Sequence, residues 1–401
     1  MTEIWAVAAL WLGLALVAAV LSIWLKIATA LSEIVVGTMA QLVLGAALGA
    51  GLLGADQVWI KFLAGAGAIV LTFLAGAELD PEVFRRKWKE ATAVGLISFF
   101  APFLGCAAAA HWLLGWGAEA SWLAGVAMST TSVAVVYAVM IEFGFNTTDY
   151  GKTVLAACFV TDLGTVIALG LLFAPFTLKT LIFVAALAIA AIALPWLTPR
   201  FFRRFGGRPS ELEAKFLLVC LFGLGALAAW ADSEAVLPAY VLGMMLAGTV
   251  GRDHALVRRV RTLTFGLLTP FYFIRAGSFV SVPALIAAPA AFLVMLAVKV
   301  STKIAGVYPV TQAFRSPRKE GMYTTLLMST GLTFGTISSL FGLSHGIVDQ
   351  GQYSALVAAV IASAVVPTLI ANAWFLPHHL LPRADETRKG EPAPMASTKR
   401  S

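Results

Sequence analysis

Charge is the property this chain has least of. Only 12% of its 401 residues are Asp, Glu, Lys or Arg, about half the roughly 25% of a soluble globular domain. A water-soluble fold is excluded. Cysteine is nearly absent as well. Cys106, Cys158 and Cys220 stand singly inside apolar runs with no C-x-x-C spacing, which leaves neither a disulfide framework nor a zinc site and makes them small core residues. The five histidines show no HExxH or other ligand spacing, and there is no nucleophile elbow, P-loop or GxGxxG stretch. An enzyme is not expected, and no cofactor is implied.

What the chain does have is apolar length. Sixty per cent of its residues are hydrophobic, the mean hydropathy is +0.88, and apolar runs of about 20 residues recur almost end to end, which reads as an all-α polytopic membrane protein. The first run, 4–25, follows acidic Glu3 and lacks a basic leader and a cleavage site, so it is read as a retained span. Breaks in the apolar pattern give thirteen expected spans, at 4–25, 32–53, 58–77, 91–114, 119–141, 152–174, 178–197, 214–231, 235–250, 263–282, 284–308, 321–343 and 352–377.

An odd number of crossings puts the two termini on opposite sides. With the C-terminus cytoplasmic and the N-terminus outside, 23 of the 28 Lys and Arg residues fall in inside segments. Only Lys61 and Lys179 lie at outer ends, and Arg275, Lys299 and Lys303 stay within spans. This segregation follows the positive-inside rule, and it assigns the net charge of +7 to topology and anionic headgroups rather than to nucleic acid. A transmembrane unit over 1–378 is expected, followed by a short, polar, disordered cytoplasmic tail, 379–401.

Two spans carry hydroxyl clusters at mid-depth. One reads Met128-Ser129-Thr130-Thr131-Ser132, the other Met328-Ser329-Thr330-Gly331-Leu332-Thr333. They are seven spans apart, so as equivalent elements they cross the membrane in opposite directions. That is the trace of an inverted repeat with two discontinuous helices meeting near the midplane, as secondary transporters use to hold an ion. The competing explanation is that the hydroxyls bond their own helix carbonyls or mediate helix packing.

Charged groups inside spans are few. Asp162, in Phe159-Val160-Thr161-Asp162-Leu163-Gly164, lies about ten residues into its span, where a carboxylate is costly and marks a proton or ion path. Lys299 and Lys303, four residues apart on one helix face, can each reach a buried carboxylate, although Lys303 can equally snorkel to the cytoplasmic side. Glu33, Glu78 and Arg275 are weaker candidates, read as structural.

With these elements in place the chain resembles the cation:proton antiporter-2 family of the monovalent cation:proton antiporter superfamily, which includes bacterial sodium/proton antiporters and Kef-type potassium systems. The resemblance covers the whole membrane region. Its carrying stretches are Ser32-Glu33-Ile34-Val35-Val36-Gly37, Phe73-Leu74-Ala75-Gly76-Ala77-Glu78-Leu79-Asp80, Ser129-Thr130-Thr131-Ser132, Thr161-Asp162, Pro270-Phe271-Tyr272-Phe273 with Ala276-Gly277, and Lys303-Ile304-Ala305-Gly306.

The resemblance implies the sodium/proton antiporter fold: a dimerisation part and a six-helix core in a homodimer, the fifth and twelfth spans broken and crossing, and an elevator-like movement exposing Asp162 to each side in turn. By position Asp162 matches the family's ion-binding aspartate, while Thr131 and Ser132 match the unwound stretch lining the site. Lys303, by its Lys-x-x-Gly context, matches the basic partner of the empty site and is favoured over Lys299. The chain departs from the family too. Thr161 precedes Asp162 where electrogenic relatives carry a second Asp and Kef-type proteins carry Gln. Thr330-Gly331-Leu332 stands where many relatives show Arg-Gly-Glu.

The expected function is therefore exchange of Na+ or K+ for H+, electroneutral, in a bacterial inner membrane. Asp162 is the shared carrier of cation and proton, helped by oxygens of Thr131, Ser132 and Thr161. The lack of a nucleotide-binding cytosolic domain argues against a glutathione-gated potassium system. A sodium-coupled organic-anion symporter of related fold and a gated cation channel are the alternatives; the channel would want a filter repeat such as TVGYG, which is missing from the sequence.

Overall fold

The computed structural model describes residues 2–25, 28–48, 53–77, 81–145, 148–173, 177–231, 233, 235–251, 253–287 and 289–381. Glu78 and residues 382–401 of the expected tail lie outside them. The described chain is helical: α1 Thr2–Leu25, α2 Thr29–Leu48, α3 Val58–Ala77, α4 Pro81–Trp112, α5 Ala118–Ser129, α6 Val133–Glu142, α7 Asp149–Phe173, α8 Leu178–Phe205 and α9 Leu212–Trp230. There follow α10 Val236–Leu246, α11 His254–Leu263, α12 Thr269–Ser278, α13 Val282–Ala287, α14 Pro289–Ala313, α15 Arg318–Met328, α16 Thr333–Ser344 and α17 Gln350–Ile370.

Among the described residues nine stretches are helical, long and apolar enough to cross a membrane, one of them spanning α15 and α16. The expected spans at 32–53, 119–141, 235–250 and 263–282 fall on shorter or interrupted helices. Apolar length alone thus gives a smaller count than the sequence pattern. Two helices also outrun their apolar runs. Before its apolar part α4 begins at Pro81 and carries Arg85, Arg86, Lys87 and Lys89, with a kink at Lys87, and α8 runs on to Phe205 with Arg203 and Arg204 in its last turn. Basic residues suit that carboxyl end of a helix and its headgroup depth.

One irregular turn follows from a proline. Pro270 has no N–H for the carbonyl four residues back, and the turn before it, Thr264–Leu268, widens to a π-helix. The largest hydrophobic cluster gathers α4, α5, α7 and α14–α17, with smaller contributions from α2, α3, α10 and α12; a second joins α3 and α8–α11. The sequence Ser32–Gly37 earns its place at a helix crossing. A Cβ on Gly37 or on Gly277 would land on the backbone of Ile274 or Ile34 respectively, so α2 and α12 touch main chain to main chain, and Thr38 Oγ1 donates to the Gly277 carbonyl at 3.0 Å. By contrast α1 and α8 keep only 22% and 11% of their apolar windows inside the protein. Their outer faces, with Trp24 and Ile192 four-fifths exposed, belong in lipid or against another protein.

Candidate functional site

The two hydroxyl clusters are both places where a helix stops. α5 ends at Ser129, Thr130 is extended (φ −61°, ψ 152°) and helix resumes at Val133. On the other side α15 ends at Met328 and α16 begins at Thr333 after Leu332 (φ −151°, ψ −75°). The breaks touch: the Ser132 N–H donates to the Thr330 carbonyl at 3.1 Å, and Thr131 Oγ1 donates to the Met328 carbonyl at 2.9 Å. Ser129 to Ser132 and Ser329 to Leu332 are all buried.

Helix ends leave carbonyls without partners, and in hydrocarbon these must be met from inside the protein. Lys303 meets those of α5. From α14 its Nζ donates to Ser98 Oγ at 2.7 Å, the Ser129 carbonyl at 3.0 Å, Thr131 Oγ1 at 3.1 Å and the Thr130 carbonyl at 3.5 Å. The side chain is fully buried, so the snorkelling alternative does not describe this structure. Ser132 Oγ in turn accepts the Val135 N–H and starts α6.

Asp162 is buried on α7. Its Oδ1 has no hydrogen-bond partner, while the Thr131 backbone presents a hydrogen-bonding group to the carboxyl. No salt bridge within 4.0 Å joins it to Lys303 or Lys299 among the described residues; the ion pairs lie in exposed or boundary positions such as Arg259–Glu211 and Lys61–Asp56. Thr161, beside Asp162, spends its hydroxyl proton on the Gly95 and Ala157 carbonyls, both at 3.1 Å, which leaves oxygen lone pairs only. Near the same turn Tyr240 of α10 donates to the Phe159 carbonyl at 3.0 Å and sets its ring edge-on to Phe334 of α16 at 5.4 Å.

Several other hydroxyls at the breaks are self-satisfied. Ser129, Thr130, Ser329 and Thr330 each donate to a carbonyl three or four residues back in their own helix. For these four the helix-bonding alternative holds; Thr131 alone of the cluster reaches across to the other break by its side chain. Lys299 is fully buried one turn from Lys303, and its Nζ has no partner at all. A Cβ on Gly331 would coincide with that Nζ and lie 2.8 Å from Thr130 Oγ1 and 3.3 Å from Ser363 Oγ.

Arg275 has a structural contact set, donating to the Ala55 carbonyl at 2.8 Å, 3.7 Å from Asp56 and over the Phe279 ring. Glu33 is buried on α2, the helix packed on α12 and α1. Cys106 and Cys158 are buried and Cys220 is partly so. Ser98 and Ser363 are the participants that sequence reading passes over. Each is a lone hydroxyl in an apolar run, brought to the site by contacts across the chain. Among the described residues no three His, Cys, Asp or Glu side chains gather as a metal-binding group.

A membrane-embedded helical protein with two interrupted helices meeting at a buried carboxyl belongs among ion-coupled transporters in its architecture. The chain is a member of the family described as sodium/hydrogen exchanger, transmembrane, whose model matches residues 9–376. It is 24% identical over 375 residues to cation/H(+) antiporter 18 of Arabidopsis thaliana, covering 84% of this chain and 46% of that protein. It is 26% identical over 364 residues to the glutathione-regulated potassium-efflux system protein KefC of Salmonella schwarzengrund, covering 84% and 54%. The chain therefore spans about half the length of these two relatives. It covers 87% of the probable Na(+)/H(+) antiporter 3 of Methanocaldococcus jannaschii, at 22% identity over 345 residues and 82% of this chain. The solved structure of the sodium proton antiporter MjNhaP1 from the same archaeon at pH 8 superposes with a TM-score of 0.67 over 93% of this chain and 96% of that one. At 16% identity this likeness is one of fold.

Proposed function

We propose that this protein is a secondary active transporter that exchanges a monovalent cation, Na+ or K+, for a proton, with Asp162 as the charge for which the two compete. The observation that carries the reading is the buried Asp162 oxygen without a partner, set where the two interrupted helices meet. A bare carboxylate in that position is unfavourable by several kcal/mol, so it is stable only when a cation or a proton compensates it. A monovalent cation entering without its water needs oxygen ligands. The Asp162 carboxylate, the lone pairs of Thr131, Ser132 and Thr161, and the freed carbonyls of the breaks supply them. Because one site cannot hold both ions, each flux drives the other.

In this reading the breaks form an inverted repeat of two crossing discontinuous helices within thirteen crossings. Lys303 stabilises the empty junction by holding the α5 carbonyls and, when no cation is present, by lending its charge to Asp162. One cation against one proton makes the exchange electroneutral, and an elevator-like shift of α4–α7 and α14–α17 against the remaining helices gives alternating access. The apolar outer faces of α1 and α8 fit a homodimer in a bacterial inner membrane, N-terminus outside and C-terminus cytoplasmic. Support for cation:proton exchange comes from relatives that are themselves named antiporters.

The experiment is reconstitution of the full chain in liposomes holding a pH dye, with an imposed proton gradient and Na+, K+ or Li+ added in turn. Alkalinisation that saturates with one cation, is unmoved by membrane potential, and vanishes in Asp162→Asn with the thermal unfolding midpoint unchanged is the expected result. Normal exchange in Asp162→Asn sinks the assignment, and potential-sensitive exchange sinks electroneutrality.

A further inference from the structure

The helices that follow the two breaks begin differently. At the start of α6 the Ser132 N–H donates to the Thr330 carbonyl at 3.1 Å, the Val135 N–H donates to Ser132 Oγ at 3.3 Å, and the Thr131 backbone meets the Asp162 carboxyl. A hydroxyl and a carboxyl therefore serve that helix start. At the start of α16 the capping position is held by Leu332, whose side chain has no acceptor, and no side chain caps the helix. Among the described residues the N–H groups of Gly331, Leu332, Thr333, Phe334 and Gly335 have no acceptor; the first that has one, on Thr336, bonds the Leu332 carbonyl at 2.9 Å. A buried N–H left in this way costs about as much as a lost hydrogen bond, and hydrocarbon holds no water to meet it.

Lys299 stands at the same place. Its Nζ lies where a side chain on Gly331 would be; Thr130 Oγ1 is 2.8 Å from that point and 3.1 Å from the corresponding point on Gly335, and Ser363 Oγ is 3.3 Å from the first. Lys299 is fully buried and its Nζ has no partner. The two hydroxyls give their protons to the Ala127 and Val360 carbonyls of their own helices. What gathers at the α16 start is thus a set of donors, one amine and a run of backbone N–H groups, with no protein acceptor among the described residues. The positive end of the helix dipole points the same way. A helix start with free N–H groups and a lysine beside it calls for an anion.

We propose that the α16 start and Lys299 form a binding site for a small inorganic anion, of the single-atom size of chloride. The anion does for α16 what the Asp162 carboxyl does for α6: it accepts from backbone N–H groups that the chain leaves unmet. It also pairs with Lys299 as an ammonium, so that the two buried charges cancel. It is a resident ion and not cargo. Cation and proton still compete for Asp162, and the anion stays with the α15–α16 break whichever of them is bound. The inference therefore goes beyond the exchange reading and does not depend on which cation is carried.

The test is thermal unfolding of the purified full chain in choline chloride, choline bromide and choline gluconate at equal ionic strength, a series in which only the anion changes. Anomalous scattering from crystals grown in bromide gives the position. The expected result is a saturable rise of about 2 °C in the wild-type midpoint with chloride and bromide and none with gluconate, and one bromide peak per chain between Lys299 Nζ and the first turn of α16. In Lys299→Met both should vanish, and in gluconate this variant should be at least as stable as the wild type. Leu332→Asp gives α16 a carboxylate of its own, and it should remove the halide effect with Lys299 still in place. Equal wild-type midpoints in chloride and gluconate overturn the proposal. So does an adventitious ion only, bromide found on exposed lysines and arginines and nowhere beside Lys299. The wild-type crystals decide the matter even if neither variant folds, and neither readout involves transport, so a failure of the exchange reading is a separate result.

Discussion

The two helix breaks carry the same Met-Ser-Thr sequence and the same interruption after it, yet they differ in how their charges are met. At the α5–α6 break an ammonium is fixed by four oxygens. At the α15–α16 break the Lys299 Nζ, one helical turn from Lys303, lies where a side chain on Gly331 would be and has no hydrogen-bond partner. Two breaks with the same short sequence therefore differ in their surroundings: one lysine is satisfied by four oxygens and the other by none. The first junction is held by hydrogen bonds across the chain, and the second leaves a buried amine without one.

Lys303→Met and Lys299→Met test this contrast most directly. Removing Lys303 leaves the Ser129 and Thr130 carbonyls and Ser98 without their donor, at about 1–3 kcal/mol per buried unsatisfied group, so a loss of about 3 kcal/mol or more in thermal or denaturant unfolding of the detergent-purified protein is expected. Lys299→Met exchanges an unsatisfied buried group for an apolar one of similar length, and its stability should stay within about 1 kcal/mol of wild type or rise. Equal losses in both variants would erase the distinction between the junctions.

The hydroxyls sharpen it further. Thr131→Val removes the side-chain bond between the breaks and one of the Lys303 acceptors, and a several-fold rise in the half-saturating cation concentration is expected in the liposome assay. Thr330→Val removes only a bond within α15 and should change that value less than twofold. The smallest effect is a coupling. Gly331→Ala places a methyl on the Lys299 ammonium, and the same change in Lys299→Ala should be milder by about 1 kcal/mol, the range of contacting residues in a double-mutant cycle. Additive effects would mean that the two groups do not meet.

How much of this was legible depended on range. The breaks were visible because hydroxyls cluster where hydrocarbon disfavours them, and Asp162 because a mid-span carboxylate is rare. The apolar runs located most helices but not the extents of α4 and α8, whose polar ends continue the helix beyond the apolar stretch; among the described residues α2, α5, α10 and α12 lie on four further expected spans without meeting the length and apolarity of the other nine. The sequence favoured Lys303 over Lys299 only through family likeness. What separates the two is Ser98, 205 residues from Lys303, and Gly331 against Lys299, and no local pattern records a pairing at that distance.

Tyr240 ties α10 to the turn just before Asp162 through one hydrogen bond and one ring contact. If α7 and α16 travel together past α10, both contacts must be given up and remade on every passage, which makes this tyrosine a friction point rather than a ligand. Its removal would leave the cation affinity where it is and alter the speed at which the loaded site crosses, so that turnover, and not selectivity, is the quantity written into that side chain.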